Sequence, residues 1–289
     1  MHYEGHIIRP PSEANSILLQ VTVGCSHNKC TFCGAYNEVR FKIKDKAIIE
    51  EDIEYASNYF KEQKRLFLCD GDALIIKQEK LLWTLKQIKE KLPWINRVGI
   101  YANAKSLKRK SLEELEVLKE NGLGIVYMGV ESGDDEILLQ VNKKATSIDL
   151  VEQGVKVRTA GIKLSVTVLL GLGGVANSLR HAQKTGEVLS RMNPNYIGAL
   201  TLMLVPGTPL YNEHKNGDFN LPDQKQMLME LYEMIRCTEL NQGLFLANHA
   251  SNYLPIRARL PKDKNQVLGV LKEAIDGNIK LKPEWLRAL

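Results

Sequence analysis

The stretch Ile17-Leu-Leu-Gln-Val-Thr-Val-Gly-Cys25-Ser-His-Asn-Lys-Cys30-Thr-Phe-Cys33-Gly34 decides how this chain is interpreted. Its apolar, β-branched first part, Ile17–Val23, predicts a buried strand. Three cysteines follow within nine residues, with four residues between the first two and two between the last two. Ligands of α/β folds bind in the loops that follow the carboxyl ends of parallel strands. The three thiols are therefore candidate metal ligands.

The number and spacing of these thiols restrict the kind of metal centre that the loop can hold. A structural zinc ion takes four ligands, usually as two separated pairs, and no second pair accompanies this triad. His27 is available as a fourth ligand, but it lies inside the same tight loop. A [4Fe–4S] cluster with three thiolate ligands and one open iron suits the motif better. Zinc remains the alternative.

Composition excludes several classes of protein. The chain has 289 residues, of which 44% are hydrophobic and 25% charged, so a disordered chain is excluded. Five cysteines are an odd number, which argues against a disulfide framework; Cys69 and Cys237 stand apart from the triad. The net charge of +5 is spread along the chain and is only a weak indication of an anionic partner. We find no signal-peptide or membrane-spanning pattern and expect a cytoplasmic protein.

Short apolar runs alternate with amphipathic helical patterns over residues 12–212. This alternation predicts βαβ units and a parallel sheet, either doubly wound or in a barrel that does not close. Residues 213–289 are expected to form a helical extension, with an irregular middle, that covers the barrel opening. Strands are predicted at 17–23, 66–69, 97–101, 125–129, 164–170 and 196–204, and helices at 46–60, 78–91, 111–121, 134–141, 148–159, 178–192, 224–241 and 262–276.

The motifs that follow the later predicted strands, taken with the cysteine triad, resemble those of the radical S-adenosylmethionine (SAM) superfamily. Cys69-Asp-Gly-Asp72 is similar to that family's Gly-Gly-Glu motif, and Gly129-Val-Glu-Ser132 and Leu170-Gly-Leu-Gly-Gly174 follow in the expected order. Pro206-Gly-Thr-Pro-Leu210 matches the branch that contains oxygen-independent coproporphyrinogen oxidase and elongator-type proteins. The family usually has three residues between its first two cysteines, so the four found here mark a variant.

The resemblance implies a partial (β/α)6 TIM-type barrel and an enzyme, an Fe–S oxidoreductase or radical transferase of unknown substrate. In that family a [4Fe–4S] cluster cleaves SAM reductively to a 5′-deoxyadenosyl radical, which abstracts hydrogen from the substrate. An electron donor such as flavodoxin or ferredoxin is the implied partner. Motif by motif, the resemblance implies Cys25, Cys30 and Cys33 as cluster ligands, and Phe32, Gly71, Asp72, Glu131, Ser132, Gly171, Arg180 and Val205 as cofactor contacts.

Substrate contacts are the least determined part of the site. Tyr36 follows the cysteine loop, and His249 and Asn252 lie in a polar C-terminal segment, yet packing and surface roles explain these residues equally well. A zinc- or cluster-containing nucleic-acid-binding protein, or a scaffold that does not cleave SAM, remains the alternative function. The positive charge is its only support, because no RNA-recognition signature is present.

Overall fold

The computed structural model describes residues 1–288, in which strands and helices alternate as the sequence predicts. The strands are β1 (Ile17–Gln20), β2 (Thr22–Val23), β3 (Lys42–Ile43), β4 (Arg65–Cys69), β5 (Arg97–Ala102), β6 (Leu123–Glu131), β7 (Lys163–Leu170), β8 (Tyr196–Thr201), β9 (Gly243–Ala247) and β10 (Ile256–Leu260). The helices are α1 (Lys46–Tyr59), α2 (Gln78–Lys91), α3 (Ala104–Lys108), α4 (Leu112–Glu120), α5 (Asp135–Gln140), α6 (Ser147–Thr159), α7 (Gly174–Met192), α8 (Pro209–Asn216), α9 (Gln224–Arg236) and α10 (Lys264–Ile275).

Eight of these strands form one mostly parallel sheet, in the order β1-β4-β5-β6-β7-β8-β9-β10. Strand β4 pairs in parallel with β1 and β5, β5 with β6, and β8 with β7 and β9. Strands β2 and β3 pair separately and antiparallel. The parallel sheet inferred from strand–helix alternation is confirmed, because each crossover helix returns the chain to the same end of the sheet.

The C-terminal part differs from the prediction of helices joined by an irregular segment. Strands β9 and β10 extend the sheet, and β10 runs antiparallel to β9. Along β10 the apolar residues are buried, whereas Arg257 and Arg259 are exposed. This two-residue alternation is typical of a half-buried strand, but it extends over five residues only. The prediction of an irregular segment was wrong here.

Contacts divide the chain into two compact units. The first consists of Met1–Asn28, Ala35–Met128 and Lys156–Leu164; the second consists of Lys29–Gly34, Gly129–Val155 and the residues from Ser165 onward. The predicted extension after residue 212 thus belongs to the same unit as β8. Within residues 1–288, no helix combines the length and the apolar character that a bilayer crossing requires.

In the first unit, one buried carboxylate connects a short helical turn to two strands. Glu13 is fully buried and accepts hydrogen bonds from the hydroxyl groups of Ser16 and Tyr127 and from the guanidinium of Arg97. Burial of the phenol and its bond to Glu13 raise the pKa of Tyr127. A buried carboxylate is tolerated only with such donors, so these bonds fix the start of β5 against β6.

Replacing this carboxylate should destabilise the first unit. Glu13→Ala leaves Arg97 and the Tyr127 hydroxyl without their acceptor, which costs about 3 kcal/mol and lowers the melting temperature by roughly 6–12 °C. Glu116→Ala removes an exposed carboxylate from α4 and should change stability by less than about 0.5 kcal/mol. Thermal unfolding followed by circular dichroism compares the two variants. Equal melting temperatures of the two variants would show that the Glu13 carboxylate does not stabilise the first unit.

Candidate functional site

The cysteine loop belongs to both units: Cys25 lies in the first, whereas Cys30 and Cys33 lie in the second. In the first unit, Cys25 comes two residues after β2, at the predicted place. The Asn28 side chain donates to the carbonyl oxygen of Tyr36 at 2.8 Å. This bond closes the chain across the segment from Asn28 to Tyr36, so the residues before and after Cys30 and Cys33 are held together.

Gly71 lies against the first cysteine. A Cβ atom at position 71 would lie 3.0 Å from Cβ of Cys25 and 2.7 Å from Cε2 of Tyr36. These separations are shorter than ordinary carbon contacts of about 3.5–4.0 Å. The glycine predicted to contact the cofactor therefore also leaves the room that Cys25 and Tyr36 occupy.

Asp70 is buried and fixes Tyr36. Its carboxylate accepts hydrogen bonds from Gln20 Nε2 at 2.9 Å and from the Tyr36 hydroxyl at 3.2 Å. Burial raises the pKa of Tyr36, and the adjacent carboxylate raises it further. The structure thus gives Tyr36 a packing and hydrogen-bonding role, and its contact with substrate stays a prediction.

Asp72 is fully buried at the end of the same strand–loop segment. Its Oδ2 accepts from the Ser26 hydroxyl, whereas Oδ1 has no hydrogen-bond partner among residues 1–288. Burial raises the pKa of Asp72, and the nearby side chains of Ser106, Ser26 and Asn103 offset this only in part. A buried acceptor without a donor costs free energy. A cationic donor placed at Oδ1 would supply the missing bond and stabilise the charged carboxylate.

In the second unit, backbone bonds hold the other half of the loop. The amide of Thr31 donates to the Val141 carbonyl at 3.1 Å, and the amide of Leu210 donates to the Thr31 carbonyl at 3.0 Å. At the end of the loop, a Cβ on Gly34 would lie 2.7 Å from Cγ1 of Val205. The exit from β8, where Val205 lies, is therefore a neighbour of the cysteine loop.

The aromatic residue before the third cysteine has an apolar environment. Phe32 is partly buried against a group of buried side chains from α5, the turn after β7 and α8. These are Ile137, Val141, Leu172, Leu202 and Leu210. The packing sets the direction of the Cys30–Cys33 segment and leaves Phe32 partly exposed.

At the end of β6, Glu131 adopts a left-handed backbone with φ of 64°. Its Oε1 binds Lys143 Nζ at 2.8 Å, and both side chains are largely buried. A Cβ on Gly129 would lie 2.1 Å from that oxygen, so a larger residue there would have to displace the Glu131 carboxylate. The predicted contact of Glu131 with the cofactor would have to coexist with this pair.

The other predicted cofactor contacts have partners within the second unit. Ser132 is fully buried beside His181, with Oγ 2.8 Å from Nδ1. Arg180 pairs with Asp134 at 2.6 Å and Glu136 at 2.7 Å. These two carboxylates already bind the guanidinium of this predicted cofactor contact. For Ser132 and Arg180, contact with the cofactor remains a prediction.

The predicted substrate residues of the C-terminal segment are engaged with the protein itself. Asn252 is buried; it accepts from the Thr201 hydroxyl at 2.8 Å and donates to the Ala199 carbonyl at 2.9 Å. His249 is partly exposed, and its Nδ1 lies 2.9 Å from Ser251 Oγ. Burial lowers the pKa of His249. These contacts give Asn252 a structural role at the end of β8 and leave part of His249 accessible.

The residues present fit an iron–sulfur cluster and SAM in three respects. All five cysteines are present as thiols, and three of them share the loop. Gly71 lets the chain after β4 approach Cys25 closely, and Asp72 offers an unpartnered buried oxygen. Within residues 1–288 no three His, Cys, Asp or Glu side chains converge on a single metal ion. A cubane binds each thiolate at a separate iron, so its ligands lie farther apart than those of a single metal ion.

Comparison with known proteins identifies the family. The sequence model of the radical SAM superfamily matches residues 19–181, more than half of the chain. The chain belongs to the radical SAM superfamily. The matched region runs from β1 into α7 and contains the cysteine triad, so the resemblance deduced from the motifs is confirmed.

Curated relatives and solved structures place this radical SAM protein within the superfamily. The heme chaperone HemW of Bacillus subtilis is 24% identical over 173 residues, 60% of this chain and 45% of HemW. An uncharacterized protein of Methanocaldococcus jannaschii is 25% identical over 283 residues, 93% of this chain and 79% of that protein. The chain thus spans less than half of HemW and most of the archaeal relative.

Two solved structures share the fold. Coproporphyrinogen III oxidase (HemN) of Escherichia coli, a radical SAM enzyme, has a TM-score of 0.56 at 17% identity, over 76% of this chain and 51% of its own. The Elp3 protein of Methanocaldococcus infernus, lacking its N-terminus, has a TM-score of 0.54 at 13% identity. The match covers 95% of this chain and 64% of the Elp3 chain. The predicted partial TIM-type fold is confirmed. Membership of the branch of coproporphyrinogen oxidase and elongator-type proteins stays a prediction.

Sequence reasoning missed several residues that support the site. Lys143 and His181 bind predicted cofactor residues, and Ser26 binds Asp72. Nothing in the sequence distinguishes Ser26 from other small loop residues, and nothing in the periodicity of α7 distinguishes His181 from a core residue. The capping residues Asn103 and Ser106 of α3 carry a readable pattern, but their proximity to Asp72 is purely tertiary.

The close approach at Gly71 generates a prediction. Gly71→Ala should displace Cys25 or Tyr36 at a cost of about 1–3 kcal/mol, so iron and sulfide per chain should fall after identical anaerobic reconstitution. Gly198→Ala is the matched control, because its Cβ would meet no atom closer than 3.8 Å. Metal and sulfide analysis of the three proteins provides the measurement. Full cluster content in Gly71→Ala would show that the loop does not need this close approach.

Proposed function

We propose that this chain is a radical SAM enzyme that holds a [4Fe–4S] cluster on Cys25, Cys30 and Cys33 and cleaves SAM reductively. The observation that carries the proposal is the unpartnered, buried Oδ1 of Asp72, a carboxylate joined by Ser26 to the cysteine loop. Membership of the superfamily supports the cofactor pair, and the oxidoreductase or radical-transferase chemistry is part of the proposal. The substrate is not specified by these residues.

The cluster is held by thiolates whose backbone is already ordered. Backbone bonds of Thr31 fix the segment with the last two cysteines, and Gly71 leaves space for the first. When bound and reduced, the cluster supplies the electron that splits SAM into methionine and a 5′-deoxyadenosyl radical, which takes a hydrogen atom from the substrate. The protein's own part is to hold these groups and to exclude water.

Asp72 is proposed to bind the SAM ammonium group. Its Oδ2 is occupied by Ser26, so Oδ1 is the oxygen that accepts the new bond. The buried position makes a charge-assisted hydrogen bond stronger than it would be in water. Gly71 next to Asp72 offers backbone groups at the same place. Asp70 is excluded from this role because its carboxylate already accepts from Gln20 and Tyr36.

Other contacts follow the motifs. Phe32 and Val205 would provide apolar surface near the cysteine loop. Glu131 and Ser132 would contact the ribose or methionyl part of SAM, and Gly171 would lie near its adenine. Arg180 would reach the SAM carboxylate only if it left its present carboxylate partners. A one-electron donor protein such as flavodoxin or ferredoxin would reduce the cluster.

The test uses anaerobically reconstituted protein reduced with dithionite. The parent should carry about four irons per chain and convert SAM to 5′-deoxyadenosine and methionine, as chromatography would show. Cys30→Ala should lose iron and turnover, and Cys237→Ala, which changes a thiol outside the loop, should retain both. One zinc per chain would support the metal-binding alternative. Four irons without SAM cleavage would support a scaffold and overturn the proposed enzyme.

A second prediction ranks the two aspartates. Asp72→Asn keeps the shape but removes the charge, so the Kd for SAM should rise about tenfold to over a hundredfold at normal iron content. Asp70→Asn should weaken SAM binding less but lower the melting temperature, because an amide group would face the donors Gln20 and Tyr36. Calorimetric titration and thermal unfolding measure the two effects. Normal SAM binding by Asp72→Asn together with weak binding by Asp70→Asn would contradict this ranking. It would mean that the alignment of Cys69-Asp-Gly-Asp72 with the family's Gly-Gly-Glu motif is shifted by two residues.

A further inference from the structure

A chain of buried polar groups in the second unit joins helix α9 to the ends of β6 and β7. Ser132 Oγ lies 2.8 Å from Nδ1 of His181. The other ring nitrogen, Nε2, lies 2.9 Å from the Leu169 carbonyl oxygen and 3.5 Å from Oε1 of Glu230. The same Oε1 accepts the amide of Gly171 at 2.6 Å. We call Ser132, His181, Glu230 and Gly171 the buried relay.

Burial excludes a hydrolytic role for this serine, histidine and carboxylate. Ser132 and His181 have no exposed surface, and Glu230 is 2% exposed. A nucleophile must reach its substrate, and no substrate can approach a serine in this position. The buried relay therefore has a structural role and fixes the conformation of the chain around it.

The acceptors define the direction of each hydrogen bond. The Leu169 carbonyl can only accept, so Nε2 of His181 carries a proton and donates it there. In the neutral ring, Nδ1 is then the acceptor for the Ser132 hydroxyl. Ser132 Oγ in turn accepts the amide of Asp134 at 3.0 Å. His181 thus fixes both the end of β7 and the turn after β6.

Helix α9 packs closely against Gly171 and also binds its amide. Gly171 has a φ of 86°, a conformation that favours glycine, and a Cβ there would lie 2.3 Å from Cε of Met227. One turn along the same helix, Glu230 accepts the Gly171 amide. Its second oxygen accepts the hydroxyl of Ser178, which lies in the first turns of α7. Sterics and hydrogen bonding together determine where the chain leaves β7.

We propose that Glu230 and His181 are positioning residues for SAM, holding Ser132 and Gly171 in the conformation that the cofactor requires. This inference rests on the proposed function, which assigns both strand ends to SAM. It gives the C-terminal extension an indirect part in cofactor binding, because Glu230 of α9 holds Gly171. The cysteine ligands lie outside the relay, so the relay affects SAM rather than the cluster.

The test compares three substitutions on α9. Glu230→Ala removes the acceptor of the Gly171 amide, and the Kd for SAM should rise about tenfold while iron and sulfide stay at the parental level. Glu230→Gln keeps a carbonyl acceptor and should restore binding to near the parental Kd. Glu233→Ala is the matched control: this carboxylate is 8% exposed on the same helix and binds Arg236 and Gln183, at 2.6 and 2.8 Å. Its SAM Kd should equal that of the parent.

A second readout needs neither the cluster nor SAM. Amide hydrogen exchange of the peptide that contains Gly171 should quicken about tenfold in Glu230→Ala, because the amide loses its buried acceptor. The same peptide should exchange at the parental rate in Glu233→Ala. If Glu230→Ala does not fold, the variant His181→Gln is measured in its place. The glutamine amide keeps a donor for the Leu169 carbonyl but cannot also accept the Ser132 hydroxyl. Its SAM Kd should rise as well.

The outcomes separate this inference from the proposed function. Parental exchange and parental SAM affinity in folded Glu230→Ala, or in His181→Gln where that variant replaces it, would overturn the positioning role. If Glu233→Ala weakened SAM binding equally, the effect would come from the general packing of α9. That result would also overturn the positioning role. A parent that carries the cluster yet binds no SAM would contradict the proposed function and the SAM role with it. The exchange result would still show whether α9 holds Gly171.

Discussion

A carboxylate removed from water must find donors inside the protein, and Asp70 finds its donors on both sides of the cysteine loop. Gln20 donates from β1, the amide of Gly24 from the residue before Cys25, and the Tyr36 hydroxyl from beyond the loop. Burial raises the pKa of Asp70, and these three bonds act against that shift. The entry and exit of the loop are therefore tied to the end of β4, directly before Gly71 and Asp72.

The second unit supports its part of the site mainly through the backbone. Amide–carbonyl bonds from Thr31 to Val141 and from Leu210 to Thr31 give the loop residues partners from two helical segments. Such bonds do not depend on side-chain identity, so several sequences can satisfy them. Side chains enter where a strand must end in a particular conformation, as Glu230 does at Gly171. The C-terminal helix α9 is thereby part of the support for the site.

Burial separates residues that can meet a ligand from those that hold the site together. Asp72 keeps an unpartnered oxygen, whereas both oxygens of Asp70 are occupied. Likewise, Asn252 uses its amide within the protein, and Arg180 is paired with two carboxylates. All four residues carry polar side chains that can bind a ligand. Which of them retains hydrogen-bonding capacity depends on neighbours far away along the chain.

Local patterns predicted the strand–helix alternation and the parallel sheet, because hydrophobic periodicity is a local property of the chain. The ordered set of motifs after the strands indicated the family. The sequence also located Cys25, Cys30, Cys33 and Asp72 directly, since each follows a recognisable strand. Tertiary structure alone added strands β9 and β10 to the sheet, gave Asp72 its partner Ser26, and brought Glu230 to Gly171, 59 residues away. The physical reason is that a buried hydrogen bond or a close approach depends on two distant segments at once, and no local pattern encodes their meeting.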